Sequence, residues 1–177
     1  KFVWAPLVDS LPVPLLTQFF GRRRAWLLLS QTMIMLSIAA MAMIDPATQT
    51  LSLLAWAAVL LGFSSATQDI VIDAYRIESA ETELQALMSS TYIAGYRIGM
   101  LLAGAGALLL ATYFGSTMTN YDYQAWQTTY LLMAALMLIG MLTTLIVDEP
   151  ESKSLQNKQS NQHYVGFLLL FVLAVAA

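Results

Sequence analysis

The sequence predicts an all-α fold, a polytopic bundle of membrane-spanning helices. Of its 177 residues, 58% are hydrophobic and only 11% are charged, and the mean hydropathy is +0.65. A soluble domain carries about 25% charged residues, so this chain has too few to cover an ordinary water-exposed surface. Its apolar residues also form continuous blocks, each close to the roughly 20 residues that a helix needs to cross a bilayer.

The first two predicted spans are joined by a short turn. Residues 26–44 are uncharged and, at 1.5 Å rise per residue, extend over roughly 28 Å, which is enough for the hydrocarbon core. Asp45-Pro46 ends this span because proline interrupts a helix. The second span begins at Leu51 and continues to about Arg76, so its last turns carry charged residues.

The remaining spans follow the same pattern. A third span at 91–114 contains Arg97, and a fourth at 126–147 is again uncharged. The segments around them are assigned as an acidic connection at 79–90, a polar loop at 115–125, a hydrophilic linker at 148–162, the start of a further span at 165–177 and the tail of an earlier span at 1–8. We expect the chain to be an internal piece of a longer membrane protein.

The distribution of basic residues predicts the orientation of the spans. Lys and Arg concentrate in the short cytoplasmic loops of membrane proteins. Three consecutive arginines precede the first span and two lysines follow the fourth, whereas the loops at 45–50 and 115–125 contain neither residue type. We therefore expect those two loops outside, and segments 9–25, 77–90 and 148–164 in the cytoplasm.

Charged residues within the second span indicate a substrate or proton path. Asp69 and Asp73 are four residues apart on one face of this helix, and Gln68 and Arg76 fall close to the same stripe. Ionisable residues in a membrane are costly and typically mark a substrate or proton path. For Asp73 and Arg76 the alternative is a helix end at the cytoplasmic surface, because Asp69 already lies roughly 27 Å from the beginning of the span.

The third span combines a packing surface with a single charge. Arg97 points away from the face of small residues that forms the packing surface. It lies at a depth in the membrane similar to that of Asp69. We expect Arg97 either to form a buried ion pair with Asp69 or Asp73, or to bind an anionic substrate through its guanidinium group. The packing surface consists of small residues at every fourth position, which favours close approach of a neighbouring helix: Gly95, Gly99, Ala103, Ala107 and Ala111.

Composition argues against catalysis. The chain contains no cysteine and one histidine, His163. We therefore expect no disulfide, no thiolate chemistry and no histidine-based metal site. No catalytic triad or phosphate-binding loop is found in the sequence, since Gly104-Ala105-Gly106 lies within a span and follows no strand. The chain is predicted not to be an enzyme, to need no cofactor and to bind no nucleic acid.

Three blocks of sequence resemble a known family. The segment KFVWAPLVD at 1–9, followed by GRRR at 21–24, resembles the loop between the second and third helices of major facilitator transporters. The match has departures, since a proline-containing insert separates Asp9 from the GRRR block, the family's glycine before the aspartate is missing, and Ser10 replaces the usual arginine. Together with SATQDIVIDAYR at 65–76 and GYRIGMLLAG at 95–104, the pattern is similar to AmpG-type muropeptide permeases and to the related acetyl-CoA transporters.

The resemblance implies a place for the chain in the major facilitator fold, from the end of helix 2 to the start of helix 7. Residues 1–147 would belong to the N-terminal six-helix half, 148–164 would form the cytoplasmic linker between the halves, and 165–177 would begin helix 7. Helices 1, 4, 7 and 10 line the central cavity in this superfamily, so the stripe at 65–76 would lie on a cavity helix.

The resemblance also implies a function. It is the import of anhydromuropeptides, anionic sugar-peptides of the form GlcNAc-anhydroMurNAc peptide, from periplasm to cytoplasm by proton symport for peptidoglycan recycling. The chain would lie in the inner membrane, its partners would be lipid, this substrate and protons, and no oligomer is expected. One alternative is a transporter of acetyl-CoA or another bulky anion. An alternative of a different class is a non-transporting membrane scaffold subunit.

The predicted site residues fall into two groups. Asp9 would bind a helix end in the other half of the protein, and the arginines after it would pair with acids such as Asp73 or Glu78. The substrate and proton pathway is predicted to include Gln68, Asp69, Asp73, Tyr96 and Arg97. The cytoplasmic gate is predicted to include Asp9, Arg22, Arg23, Arg24, Asp73, Arg76 and Glu78.

Overall fold

The computed structural model describes residues 4–49, 51–79, 83–117 and 119–150. The predicted linker beyond residue 150 and the further span predicted at 165–177 lie outside this part of the chain. The helices are, in chain order, α1 (Ala5–Ser10), α2 (Leu16–Phe20), α3 (Arg22–Ala42), α4 (Leu51–Ser79), α5 (Gln85–Leu101), a π-helical segment (Leu102–Gly106), α6 (Ala107–Tyr113) and α7 (Tyr123–Ile146).

The predicted bundle of spans is confirmed. Four helices of the described chain are long and apolar enough to cross a membrane by length and composition. They are α3, α4, α7 and the continuous helix Gln85–Tyr113, which joins α5, the π-helical segment and α6. Their order and their number agree with the four full spans predicted from hydropathy.

The helix boundaries differ from the prediction where charged residues lie. α3 begins at Arg22 rather than at residue 26, α4 ends at Ser79 rather than at about Arg76, and α5 begins at Gln85 rather than at residue 91. The connection predicted at 79–90 is therefore shorter than expected. Hydropathy marks only the apolar part of a helix, whereas residues such as Gln, Ala, Leu and Met continue the helix beyond it.

α3 is the central helix of the described chain. It packs along both α4 and α7, while α4 and α5 hardly touch each other and α6 lies against α7. The close packing expected along the small residues of the third span is made only near its end, where Ala111 is buried. A side-chain carbon added at Gly95 or Gly99 would meet no neighbour within 4 Å in the described chain.

The segment before α3 packs across the α3–α4 pair. Val8 is fully buried in a small apolar core with Leu27 of α3 and Val71 of α4. The Trp4 indole donates a hydrogen bond to the Thr67 hydroxyl at 3.1 Å, and its ring packs against Phe63 with centroids 5.1 Å apart. These contacts hold α1 beside the second half of α4, and Asp9 lies next to the first turn of α3.

The two ends of the bundle have different chemistry. The end where α3 begins and α4 and α7 finish, here called the arginine end, contains the three consecutive arginines. The opposite end, here called the tyrosine end, joins the two outer loops, because Tyr121 donates to the Asp45 carboxylate at 3.4 Å and Tyr123 to the Ala42 carbonyl at 3.0 Å. The loops predicted to share a side of the membrane therefore lie at the same end.

Candidate functional site

Arg23 is the centre of an ion-pair network at the arginine end. The residue is only 5% exposed. Its guanidinium Nε and Nη2 atoms donate to the two carboxylate oxygens of Glu78, at 2.9 and 2.5 Å, and Nη1 donates to Asp9 at 2.5 Å. This bidentate contact fixes the orientation of the guanidinium group relative to the Glu78 carboxylate. One side chain thus ties α1, the start of α3 and the end of α4 together.

Arg22 adds a second, weaker link between the same elements. Its Nη1 atom donates to the backbone carbonyl of Asp9 at 2.6 Å, and its Nη2 atom lies 4.0 Å from the Glu78 carboxylate. The Arg22 side chain is 36% exposed, whereas that of Arg23 is 6% exposed. Solvent screens the exposed pair, so Arg23 supplies most of the electrostatic attraction in the network.

Glu149, which follows α7, caps the beginning of α3. Its two carboxylate oxygens accept hydrogen bonds from the backbone N–H groups of Arg23 at 2.7 Å and Arg24 at 3.0 Å. The first N–H groups of a helix have no partner within it, and a negative charge there is favoured by the helix dipole. Gly21 makes room for this cap, since a side-chain carbon there would lie 2.5 Å from the Glu149 carboxyl carbon.

Arg24 makes the reciprocal contact with the end of α7. Its guanidinium group donates to the carbonyl oxygens of Thr144 at 3.0 Å and Leu145 at 2.6 Å, which are among the last carbonyls of that helix. Arg24 of α3 therefore binds the end of α7, and Glu149, just after α7, binds the beginning of α3. The six residues involved, here called the arginine cluster, comprise three cations and three carboxylates: Asp9, Arg22, Arg23, Arg24, Glu78 and Glu149.

Asp73 and Arg76 form a separate pair outside the arginine cluster. Their charged groups lie 3.5 Å apart on one face of α4, and the Asp73 side chain is 50% exposed. Arg76 also donates to the Ser89 hydroxyl at 3.0 Å and lies 5.5 Å from the ring of Tyr92. Of the two acids named as partners for the arginines, Glu78 is thus the one they bind, whereas Arg76 connects α4 to the start of α5.

The residues predicted for the substrate pathway divide between two helices. Gln68 and Asp69 are half-buried on α4. The Gln68 side-chain carbonyl is buried and has no hydrogen-bond partner in the part of the chain that the structure describes. Tyr96 and Arg97 lie on α5 and are exposed there.

The ion pair predicted between Arg97 and Asp69 or Asp73 is not formed within the described chain. Sequence spacing predicts depth along the membrane, but it does not determine which helices are neighbours. α4 and α5 hardly touch except near their connection, so the Arg97 guanidinium group remains exposed. The second predicted role of Arg97, binding an anionic substrate, is compatible with this position.

A buried polar contact joins α3 and α7 within the membrane span. The Gln31 amide group both donates to and accepts from the Thr144 hydroxyl, at 3.0 and 3.1 Å, and both residues are buried. Sequence reasoning missed this contact and also missed Glu149. In both cases the interacting residues are more than 100 positions apart in the sequence. Nothing in the local sequence distinguishes Gln31, Thr144 or Glu149 from other polar residues of the chain.

The arrangement is suited to switching rather than to covalent chemistry. A buried cation is tolerated only while its carboxylate partners stay in place, because an unpaired charge there is strongly destabilising. The arginine cluster joins helix ends from distant parts of the sequence, so movement of one end breaks contacts at several others. This property is the one that a gate between two conformations requires.

Comparison with known proteins gives consistent matches. The sequence model of the Major Facilitator Superfamily matches residues 2–176. The chain is 41% identical over 150 residues to the anhydromuropeptide permease of Escherichia coli K12, covering 85% of this chain and 28% of that protein. It is 37% identical over 151 residues to putative transporter AmpG 4 of Rickettsia felis, covering 85% and 34%. The chain thus spans about a third of the length of these curated relatives, and no solved structure matches it.

Proposed function

Because this chain belongs to the major facilitator superfamily, we propose that it is part of a secondary transporter that imports anhydromuropeptides from periplasm to cytoplasm by proton symport. It is a multi-pass membrane protein, with four helices of spanning length in the described residues. Its resemblance to AmpG-type permeases is confirmed by the named relatives. The inner membrane is the proposed location, with the arginine end in the cytoplasm.

The observation that carries a transport function is the arginine cluster. The GRRR block and Asp9, which resemble the loop motif of major facilitator transporters, meet in the structure around one buried guanidinium group. Transporters alternate between conformations that open to opposite sides of the membrane. In this proposal the cluster is intact when the cytoplasmic ends of the helices are together, and its contacts loosen when those ends separate.

Arg97 and Tyr96 support an anionic sugar-peptide as the substrate. The E. coli relative is named an anhydromuropeptide permease, and the peptide portion of a muropeptide carries carboxylate groups. A guanidinium group matches the geometry of a carboxylate with two parallel hydrogen bonds. In the described chain Arg97 is exposed and forms no ion pair, and the neighbouring Tyr96 is 61% exposed. We assign both residues to the peptide-binding part of the pathway.

Asp69 is the proposed proton carrier. It is half-buried on α4, beside Gln68, well inside the helix that the superfamily layout places at the central cavity. Carboxylates within membrane spans are the usual groups of proton relays. Asp73 lies one turn nearer the arginine end and is paired with Arg76, so we assign it to the support of the α4 terminus.

The named relatives distinguish the alternatives. They are permeases and transporters of the AmpG type, which favours muropeptides over acetyl-CoA or another bulky anion. A scaffold subunit without transport activity would be an unusual member of a family of transporters.

An uptake assay tests the proposal. Cells that lack their own permease and express the full-length protein should accumulate labelled GlcNAc-anhydroMurNAc tripeptide, and an uncoupler should abolish the accumulation. Asp69→Asn should reduce proton-driven accumulation at least tenfold, while Asp73→Asn, its matched control one turn away, should retain most of it. Accumulation that resists the uncoupler, or that is unchanged in Asp69→Asn, would refute proton coupling through this residue.

A further inference from the structure

A cavity at the tyrosine end has the chemistry of a sugar-binding site. It has a volume of about 220 Å³ and lies between the end of α3, the start of α4 and the start of α7. Aromatic side chains form much of its wall, facing aliphatic side chains such as Ile44 and Leu54. The aromatic and amide residues of the wall, here called the aromatic pocket, are Tyr121, Tyr123, Trp126, Gln127 and Tyr130.

The spacing of these residues concentrates them on one face of α7. Positions 123, 126, 127 and 130 follow the i, i+3, i+4, i+7 pattern of a single helical face. Trp126 and Tyr130 are neighbours on it, with ring centroids 6.1 Å apart. Aromatic residues are common at membrane surfaces because their rings suit that depth. A position at the membrane surface would explain why aromatic residues are present, but not why they share one helix face that lines a cavity. Their shared face therefore indicates a further role.

The polar groups in the aromatic pocket are partly committed and partly available. Tyr123 donates to the Ala42 carbonyl and accepts a hydrogen bond from the Gln127 amide at 3.3 Å, which fixes both side chains. In the described chain the Tyr130 hydroxyl and the Gln127 carbonyl oxygen have no such partner. A neutral ligand with hydroxyl and amide groups would find both a donor and an acceptor there.

The charge around the aromatic pocket disfavours an anionic ligand. The two loops at this end contain Asp45 and Asp122 but neither Lys nor Arg. Partial burial and the nearby Asp45 carboxylate raise the pKa of Tyr121, so its phenol stays neutral at physiological pH. The surroundings therefore carry net negative charge and suit neither a carboxylate nor a phosphate.

We propose that the aromatic pocket binds the neutral N-acetylated sugar ring of the substrate at the periplasmic entrance. The inference rests on the proposed transport function, and it separates the two ends of the substrate, with the sugar at the pocket and the peptide carboxylates at Arg97. The apolar face of a pyranose stacks on an aromatic ring, and its hydroxyl and acetamido groups bind Tyr130 and Gln127. The cavity is smaller than the roughly 300–1,000 Å³ typical of drug-sized ligands, which fits one sugar ring.

Equilibrium binding of N-acetylglucosamine to the purified full-length protein in lipid nanodiscs tests the proposal. Saturation-transfer NMR should detect binding to the wild type. Trp126→Leu should raise the dissociation constant about tenfold, which corresponds to about 1.4 kcal/mol. Tyr130→Phe keeps the ring and removes only the hydroxyl, so it should raise the constant by a smaller factor even if Trp126→Leu folds poorly. The matched control is Trp56→Leu, because Trp56 is 73% exposed on α4 outside the cavity.

The outcomes are distinct from those of the transport assay. Equal sugar affinity in the wild type, Trp126→Leu and Tyr130→Phe would overturn the proposal, as would failure of the wild type to bind the sugar. Labelling of the cavity by a photoreactive phospholipid that the sugar does not displace would also overturn it, since lipid would then be the occupant. Binding that depends on Trp126 in a protein that fails to import anhydromuropeptides would support the sugar site and refute the proposed substrate.

Discussion

Arg23 carries a full positive charge into a position where only 5% of the residue is exposed. Its placement is possible because each of the three guanidinium nitrogens donates a hydrogen bond to a carboxylate of Asp9 or Glu78. Arg22, the preceding residue, makes contacts with the same two partners but is 36% exposed. The two arginines are adjacent in sequence and differ in burial, which makes them a matched pair for experiment.

Arg23→Met should destabilise the full-length protein far more than Arg22→Met. The first change leaves two carboxylates without their main partner. Because these side chains are 48% (Asp9) and 25% (Glu78) exposed, solvent reduces the cost below the roughly 3–5 kcal/mol of a fully buried pair. The second change removes a partly exposed contact worth about 0–1 kcal/mol. The midpoint temperatures of thermal unfolding in detergent measure the difference in stability between the two variants. Equal midpoints for the two variants would show that burial does not distinguish the arginines.

Gly21→Ala should be destabilising for two separable reasons. Gly21 has φ of +85° and ψ of 171°, a conformation that is essentially restricted to glycine, and another residue there costs about 1–3 kcal/mol. The added carbon would also meet the Glu149 side chain. In an Glu149→Ala background the second reason disappears, so Gly21→Ala should lower the unfolding midpoint by less there. An identical decrease in both backgrounds would argue against the Glu149 cap.

At the scale of elements, α3 and α7 behave as one unit. They exchange caps at the arginine end through Glu149 and Arg24, and they share the buried Gln31–Thr144 contact within the span. Because α4 also packs along α3, the three helices form a continuous body. In the described residues α5 contacts α4 mainly through Arg76, so few interactions there connect it to the α3–α4–α7 body.

A double-mutant cycle on Gln31 and Thr144 tests the link between α3 and α7. Hydrogen bonds between membrane helices are worth about 0.6 kcal/mol on average and up to about 1.7 kcal/mol. Gln31→Leu and Thr144→Val should therefore show a coupling energy of this order in the unfolding free energy. Thr143→Val is the control, because within the described residues the Thr143 hydroxyl is bonded only to Gly140 of its own helix, at 2.7 Å. Coupling between Gln31 and Thr143 as large as that with Thr144 would contradict the contact.

The elements could be predicted from the sequence to different extents. Hydropathy identified all four spans, since each has an apolar run long enough for the membrane. It failed at the beginning of α3, where three arginines form the first turn. There Glu78 and Asp9 bind the Arg23 guanidinium group, and Glu149 caps the backbone N–H groups of the turn. The motif residues Asp9 and Arg23, both predicted for the cytoplasmic gate, contact each other in the structure. The ion pair predicted for Arg97 is not formed in the described chain, because sequence spacing does not determine which helices are neighbours.

At the scale of the whole molecule, the bundle separates two chemistries by about the thickness of a membrane. The arginine end balances three cations with three carboxylates and locks helix termini together. The tyrosine end carries aspartates and aromatic rings and contains the cavity. Between the two ends lie Asp69 and Gln68 on α4 and Arg97 on α5. This order runs from the aromatic entrance with its acidic loops, through a cation and a carboxylate, to the ion-pair network. The anionic sugar-peptide proposed as the substrate would meet them in that order.

The most direct test of a gate at the arginine end is proton-driven uptake by the full-length protein carrying Arg23→Met, at membrane levels matched to the wild type. If the arginine cluster closes the cytoplasmic side during transport, Arg23→Met should accumulate labelled anhydromuropeptide at least tenfold more slowly, while Arg22→Met stays within about threefold of the wild type. Uptake by correctly inserted Arg23→Met at the wild-type rate would contradict the gate.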